Sequence, residues 1–156
     1  MDSGATAYDI YDGDITTGIV VTNPVNTSIL GDYIITYDIN DSHENTATTV
    51  TRIVHVVDTT KPVITLLGSG EITVEAYSPY TDSGVTVTDN YDGSIITGII
   101  VTNPVNTESV GKYTITYDVA DAQGNSAISV NRIVHVVNSF NPTITLAGDN
   151  PQIIEL

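Results

Sequence analysis

Between residues 112 and 119 apolar and polar side chains alternate without a break. Tyr113, Ile115, Tyr117 and Val119 fall on one side, and Thr114, Thr116 and Asp118 on the other. Period-two alternation of this length predicts a β-strand with one buried face. Further apolar-rich runs predict strands over residues 62–67, 71–76, 84–89, 95–101 and 127–137. The first opens on Pro62, as edge or initial strands do. Turn formers separate the runs: Gly68-Ser-Gly70, Ser78-Pro79, Asp89-Asn-Tyr-Asp-Gly93, Asn103-Pro104 and Asp121-Ala-Gln-Gly-Asn125. No stretch carries a helical period, so an all-β sandwich is predicted.

The pattern occurs twice. Asp2-Ser3-Gly4 returns as Asp82-Ser83-Gly84, Gly18-Ile-Val-Val-Thr-Asn-Pro-Val-Asn-Thr27 as Gly98-Ile-Ile-Val-Thr-Asn-Pro-Val-Asn-Thr107, and Arg52-Ile-Val-His-Val-Val57 as Arg132-Ile-Val-His-Val-Val137. A third start follows, Lys61-Pro-Val-Ile-Thr-Leu66 recurring as Asn141-Pro-Thr-Ile-Thr-Leu146. Self-similarity at a fixed period points to an array of domains, not to one unique cleft. Three parts are expected: residues 1–60 as an incomplete domain without its two opening strands, 61–140 as a complete one, and 141–156 as the opening strands of a third.

Composition changes the picture in three ways. There is no cysteine among the 156 residues, so neither disulfides nor thiolate metal sites hold the fold. No apolar run approaches the roughly 20 residues of a membrane-spanning helix, and no basic, apolar leader follows Met1, so any secretion signal is expected to have been removed or to lie outside this sequence. Only Arg52, Lys61, Lys112 and Arg132 oppose the acidic side chains, leaving a net charge of −15. Such a chain repels phosphate backbones and anionic lipid, which argues against nucleic acid and membrane partners and toward a cation.

Asp58-Thr-Thr-Lys-Pro-Val-Ile-Thr-Leu66, Asp89-Asn-Tyr-Asp-Gly93, Val110-Gly-Lys-Tyr-Thr-Ile-Thr-Tyr117 and Asp121-Ala-Gln-Gly-Asn125 resemble the tandem immunoglobulin-like repeats of bacterial surface proteins. They are also similar to hyalin-type repeats. The resemblance covers the chain twice over and implies two tandem immunoglobulin-like sandwiches in a secreted or cell-surface protein. Val110-Gly-Lys-Tyr113 is similar to a tyrosine-corner strand, with Ile115 where immunoglobulins often carry cysteine.

Acidic clusters recur at two turns per unit: Asp9, Asp12 and Asp14 with Asp38 and Asp41, then Asp89, Asn90 and Asp92 with Asp118 and Asp121. In an immunoglobulin sandwich both turns lie where the chain enters the domain, and the entering linker brings Asp58. Oxygen donors in that number suit Ca²⁺, which takes 6–8 of them. The same residues also serve as turn formers capping backbone N–H groups, and neither loop follows the EF-hand pattern, so both readings stand. Ser94 replaces Asp14 in the second unit. Paired carboxylates of a glycosidase need a cleft that a duplicated 80-residue sandwich has little room for, so no catalytic role is expected. His55 and His135, with His43 the only other histidine, lack ligands for zinc; each is expected to be packed and hydrogen-bonded. Tyr11 and Tyr91 sit in acidic loops and are expected to be exposed. An isopeptide bond through Lys61 is discounted, because Asn141 takes its place in the third start.

The function expected is a non-catalytic structural module of an extracellular filament, stalk or adhesin, with calcium stiffening the joints between domains. The alternative is a carbohydrate- or other ligand-binding module, against which the absence of tryptophan and the single Phe140 speak. The phase of the repeat adds an expectation of self-assembly into a head-to-tail homopolymer. Ile144, Leu146 and Ile153 or Ile154 would serve as apolar plugs for the uncovered first domain of a neighbour.

Overall fold

A computed structural model describes residues 2–148 and residue 154. The chain divides into two compact units, Met1–Thr59 and Thr60–Leu156.

In the first unit β1 (Tyr8–Asp9) pairs with β2 (Gly13–Asp14), and a single 3-10 turn follows at Thr16–Gly18. A separate three-stranded antiparallel sheet runs in the order β3 (Val20–Thr22), β4 (Gly31–Asp38), β5 (Val50–Val56). The second unit holds two further strands ahead of the same series. Its elements are β6 (Val63–Leu66), β7 (Glu71–Glu75), β8 (Val85–Asp89), β9 (Gly93–Ser94), β10 (Ile100–Thr102), β11 (Gly111–Asp118) and β12 (Val130–Val137). One sheet has the order β6-β8-β9, the other β10-β11-β12-β7, with β12 and β7 parallel and the remaining pairs antiparallel. Ile64 and Val87 from the first sheet meet Ile115, Tyr117, Val134 and Val136 from the second in one buried cluster. The unit is an immunoglobulin-like sandwich.

The alternation that predicts β11 holds in the structure: Ile115, Tyr117 and Val119 are buried while Lys112 and Thr114 are exposed. Tyr113 turns its hydroxyl back to donate to the Ser109 carbonyl at 2.8 Å, and Tyr33 does the same to Ile29 at 2.9 Å. Two expectations are corrected. The strand predicted over residues 95–101 is not continuous: β9 ends before it at Ser94 in one sheet, and of the predicted range only Ile100 and Val101 are strand, in β10 of the other sheet. The chain crosses between sheets there, and Gly98 takes a φ of +75° that an L-residue adopts at a cost. The histidines are hydrogen-bonded but not packed in the core. Arg132, Val134 and Val136 take the inward positions of β12, so the ring of His135 turns to the other face and meets Glu71 at 2.6 Å. His55 is exposed and meets Asp32 at 2.5 Å.

Candidate functional site: an open groove, an arginine and two acidic turns

Strand pairing in the second unit shows what its opening strands do. Val63 stands opposite Thr88, Ile64 opposite Val87, Thr65 opposite Thr86 and Leu66 opposite Val85. Ile64 thereby enters the core, a burial that contributes about 1.5–3 kcal/mol for a side chain of this size. In the first unit the corresponding residues, Ala5 to Tyr8, have no ladder partner on that side among the described residues, and β1 shrinks to two residues. What lies beside them is an open groove of about 440 Å³, lined by Ala5, Ala7, Ile15, Ile19, Tyr37 and Ile39 among others. These are the counterparts of Val85, Val87, Ile95, Ile99, Tyr117 and Val119, most of which pack on or near Ile64 in the second unit's core.

The second difference is at the paired arginines. Arg132 is buried, its side chain only 2% exposed. Its guanidinium is bound to Asp82, to the Tyr117 hydroxyl at 3.2 Å, and to the carbonyls of Leu67, Ser69 and Gly84. Burial pushes the Asp82 carboxyl upward, but the Tyr117 hydroxyl, Arg132 and the Gly84 N–H more than offset this and hold it below the usual range. Burial, reinforced by Asp82, raises the Tyr117 phenol. Leu67 and Ser69 lie in the connection between β6 and β7, so Arg132 ties the two opening strands to the body of the unit with charge-assisted bonds. In the first unit Arg52 keeps Asp2 and the Gly4 carbonyl at 3.0 Å, and Asp2 keeps the Tyr37 hydroxyl at 2.6 Å. Among the described residues its Nε has no counterpart of the Ser69 bond, and its side chain is 38% exposed.

Most carboxylates of the acidic turns are engaged with nearby N–H and O–H groups. Asp9 accepts from the N–H groups of Tyr11 and Asp12, and Asp89 accepts alike from Tyr91 and Asp92. Asp41 and Asp121 each close the second turn through Asn45 or Asn125. Asp12 reaches across to accept from the Ser42 N–H at 2.9 Å and its hydroxyl at 2.7 Å, and Asp92 accepts from the Ala122 N–H at 2.8 Å. The backbone bond from Ser42 holds the Asp12 carboxyl below its ordinary range, and Asn45 does so for Asp41. Asp14 is taken up by the Thr16 N–H, Asp38 by Thr49 and Asp118 by Ser129. Asn90 is exposed.

Two groups of ligand atoms remain close. Asp12, Asp41 and His43 bring one atom each within 4.8 Å of one another, as do Asp89 and Asp121 in the second unit. Both oxygens of Asp12 accept a hydrogen bond from Ser42, whereas Asp89 Oδ2 is buried without a hydrogen-bond partner. A bare carboxylate oxygen beside a second carboxylate is what a hard cation would satisfy. Asp58 closes the first unit's series of carboxylates. Ile144 and Ile154 are exposed, as is Leu146, while Ile153 lies outside the described residues.

The sequence profile described as "Bacterial surface protein, Ig-like domain" matches residues 1–56 and 64–136, most of both units. The chain belongs to this family. It is therefore a module of the kind found in surface or extracellular proteins, in a family that is generally non-catalytic. Among the described residues no helix is long and apolar enough to cross a membrane.

The chain is 32% identical over 126 residues to the pesticidal crystal protein Cry22Aa of Bacillus thuringiensis, covering 78% of the chain and 17% of that protein. It is 28% identical over 157 residues to hyalin of Strongylocentrotus purpuratus, covering 97% and 13%. An uncharacterized 81.3 kDa protein of Acholeplasma phage L2 is 31% identical over 138 residues, covering 82% and 18%. The chain thus spans less than a fifth of the length of these relatives. Among solved structures, the lipoprotein BT2262 of Bacteroides thetaiotaomicron aligns over 52% of this chain and 40% of its own, at 18% identity and a TM-score of 0.45.

Sequence reasoning missed the buried Arg132–Asp82–Tyr117 network. A signal was available: Arg132 shares its alternation with Val134 and Val136, and both it and Asp82 recur one repeat earlier as Arg52 and Asp2.

Proposed function

We propose that the protein is a non-catalytic structural module of an extracellular filament, stalk or adhesin, assembling head-to-tail by β-strand complementation, with calcium bound at its acidic turns. The observation that carries this reading is the open groove of the first unit, which in the second is filled by β6. A strand edge with an apolar face beside it is a template for another strand. A head-to-tail contact that does not close on itself propagates as an open chain.

Calcium is supported by the bare Oδ2 of Asp89 beside Asp121. Those two residues would hold the ion, and Asp58 enters on sequence grounds alone. Backbone and water oxygens would complete its shell. The net charge of −15 also favours a bound cation.

Mass in solution against protein concentration, with and without calcium, tests both parts. The expected result is a mass that climbs with concentration, together with calcium retained by the folded protein after desalting. A monomer at every concentration would remove assembly from the reading, and a metal-free protein by elemental analysis would remove calcium.

A further inference from the structure

We infer that the second unit has a further function, the bearing of tension. Its opening strands are braced against sliding along its last strand, and the braces slope so that a pull on the chain at the two ends of the unit tightens them. This goes beyond the assembly and the calcium proposed above and depends on neither.

The direction of the load follows from the path of the chain. Lys61, Pro62 and Ile64 share a small hollow with Ile128 and Val130, so the chain enters the unit beside the start of β12. It leaves from the opposite end of the same strand, after Val137. Between these points β7 runs alongside β12 in the same direction, with Glu71 level with Ile133 and Glu75 level with Val137. A pull at the entry and the exit therefore draws β7 backward and β12 forward. The ladder is loaded along its length, and its evenly spaced bonds share the force instead of opening one at a time. Backbone bonds extend the shared stretch at both ends. The Ile133 N–H donates to the Gly70 carbonyl at 2.8 Å, and the Ala76 N–H to the Val137 carbonyl at 2.7 Å.

Side chains supply the slope. Glu71 is level with Ile133 but meets His135 at 2.6 Å, two residues further along β12. Glu75 is level with Val137 but binds Ser139, again two residues further on, accepting from its N–H at 2.7 Å and its hydroxyl at 2.9 Å. Both contacts lean the same way. Moving β12 forward and β7 back lengthens them at once, whereas contacts leaning the other way would slacken. Arg132 acts in the same sense from the inner face. Extending the register puts it level with Gly70, and the carbonyls it holds, those of Ser69 at 3.0 Å and of Leu67, both lie behind that residue.

The outer braces contribute little at equilibrium, because exposed pairs are worth little, and the Glu71 and His135 side chains are 65% and 35% exposed. Their effect is on the rate at which the seam yields, the quantity that governs forced unfolding.

The absence of cysteine lets pulling handles be placed by single substitutions. Full-length chain carrying K61C and F140C, both at exposed positions, is held by its two thiols in an optical trap, so that the second unit is pulled end to end. Full-length chain carrying Y77C and F140C is pulled from the C-terminal ends of β7 and β12 together, which peels the same seam open. End-to-end pulling is expected to need a severalfold higher force than peeling. Equal forces would overturn the load-bearing function.

The braces have their own readout in E71T/E75T, which keeps strand-forming side chains in the ladder. Under constant force between positions 61 and 140 this variant should unfold about tenfold faster than its parent, as for the loss of two hydrogen-bonded contacts at the barrier. Its peeling rate should change by a smaller factor, and its urea midpoint little. An acceleration equal in both geometries, or one matched by the loss of urea stability, would show that the pairs hold the seam without direction. An unchanged rate under end-to-end load would remove them from the load path. H135T leaves both carboxylates in place and should show part of the same acceleration. No acceleration in H135T would overturn the Glu71–His135 brace and assign the effect of E71T/E75T to charge.

Discussion

The two units carry clearly repeated sequence from Asp2 to Val57 and from Asp82 to Val137, yet their interiors differ. In the second, Ile64, Val87, Ile115, Tyr117, Val119, Val134 and Val136 are all buried. In the first, only Ile35 and Tyr37 reach that state among the described residues. Val54 and Val56 are half-buried, and Ile53 is 60% exposed. The difference follows from the strands β6 and β7, which cover one edge of each sheet in the second unit alone. Burial is a property of the pair of facing surfaces, so the same residues in the same register bury less when one surface is missing. The comparison also separates what a β-sandwich needs for local pairing from what it needs for a core. The β4–β5 ladder keeps the register of β11–β12, residue for residue, with or without the opening strands.

The sharpest way to break this comparison is through the arginines. Asp82→Ala leaves the buried Arg132 without its charge partner and should cost about 3–5 kcal/mol in the second unit. Asp2→Ala, beside the part-exposed Arg52, should cost about 1 kcal/mol or less. Urea unfolding followed separately for each unit checks this, and equal losses would mean that the two arginines are equally buried in solution.

Next in size is the core. Ile115→Ala should destabilise the second unit by about 2–5 kcal/mol. Ile35→Ala should cost less, because the open groove lets the first unit relax and hydrate around it. Thr114→Ala, on the exposed face, should fall within about 0.5 kcal/mol of wild type. A larger effect at Thr114 than at Ile115 would mean that the strand is one residue out of register.

Calcium should raise the melting temperature of the second unit and leave the first nearly unchanged, since Asp12 is already satisfied by Ser42 while Asp89 Oδ2 is not. At 100 times Kd the gain is about 2.7 kcal/mol. Calorimetry with EDTA and with excess calcium resolves it, and Asp89→Asn should abolish the shift.

Acid acts in a defined direction. The Asp82 carboxyl is held below its ordinary value in the folded state. Its stabilising contribution is therefore complete above about pH 4, the unfolded value, and is lost as the pH falls through the lower folded value. Urea midpoints between pH 6 and pH 2 should decline for the second unit, and less steeply in Asp82→Asn. The net effect is moderated because protonation also relieves repulsion among the 19 acidic side chains.

The smallest effect is at a turn. Glu44 holds a φ of +65° where the second unit has Gly124 at +88°. Glu44→Gly should stabilise the first unit by about 0.5–1 kcal/mol, the relief of a left-handed side chain less the added freedom of the unfolded state. A melting point that falls on this change would show that Glu44 contributes contacts beyond its backbone.

Alternation and turn formers by themselves determined that the chain is all-β, that it repeats, and which face of the long strands is apolar. These are local properties, written in side chains two residues apart, and Tyr113, Ile115 and Tyr117 carry them in any context. The acidic turns were legible for the same reason, since Asp and Asn announce a bend wherever they cluster. Other features belong to the tertiary structure alone. Residues 95–101 read as one strand, but only Ile100 and Val101 form one, because the chain passes from one sheet to the other between β9 and β10, a switch that depends on which partner lies alongside and not on propensity. Arg132 shares its alternation with Val134 and Val136, but only the folded unit supplies Asp82 and three carbonyls from distant positions that make its burial tolerable. The groove is a feature of the same kind. Ala5, Ala7, Tyr37 and Ile39 are ordinary core-forming positions in the sequence. Only comparison of the folded first unit with the second shows that they surround a space which β6 fills in the second unit.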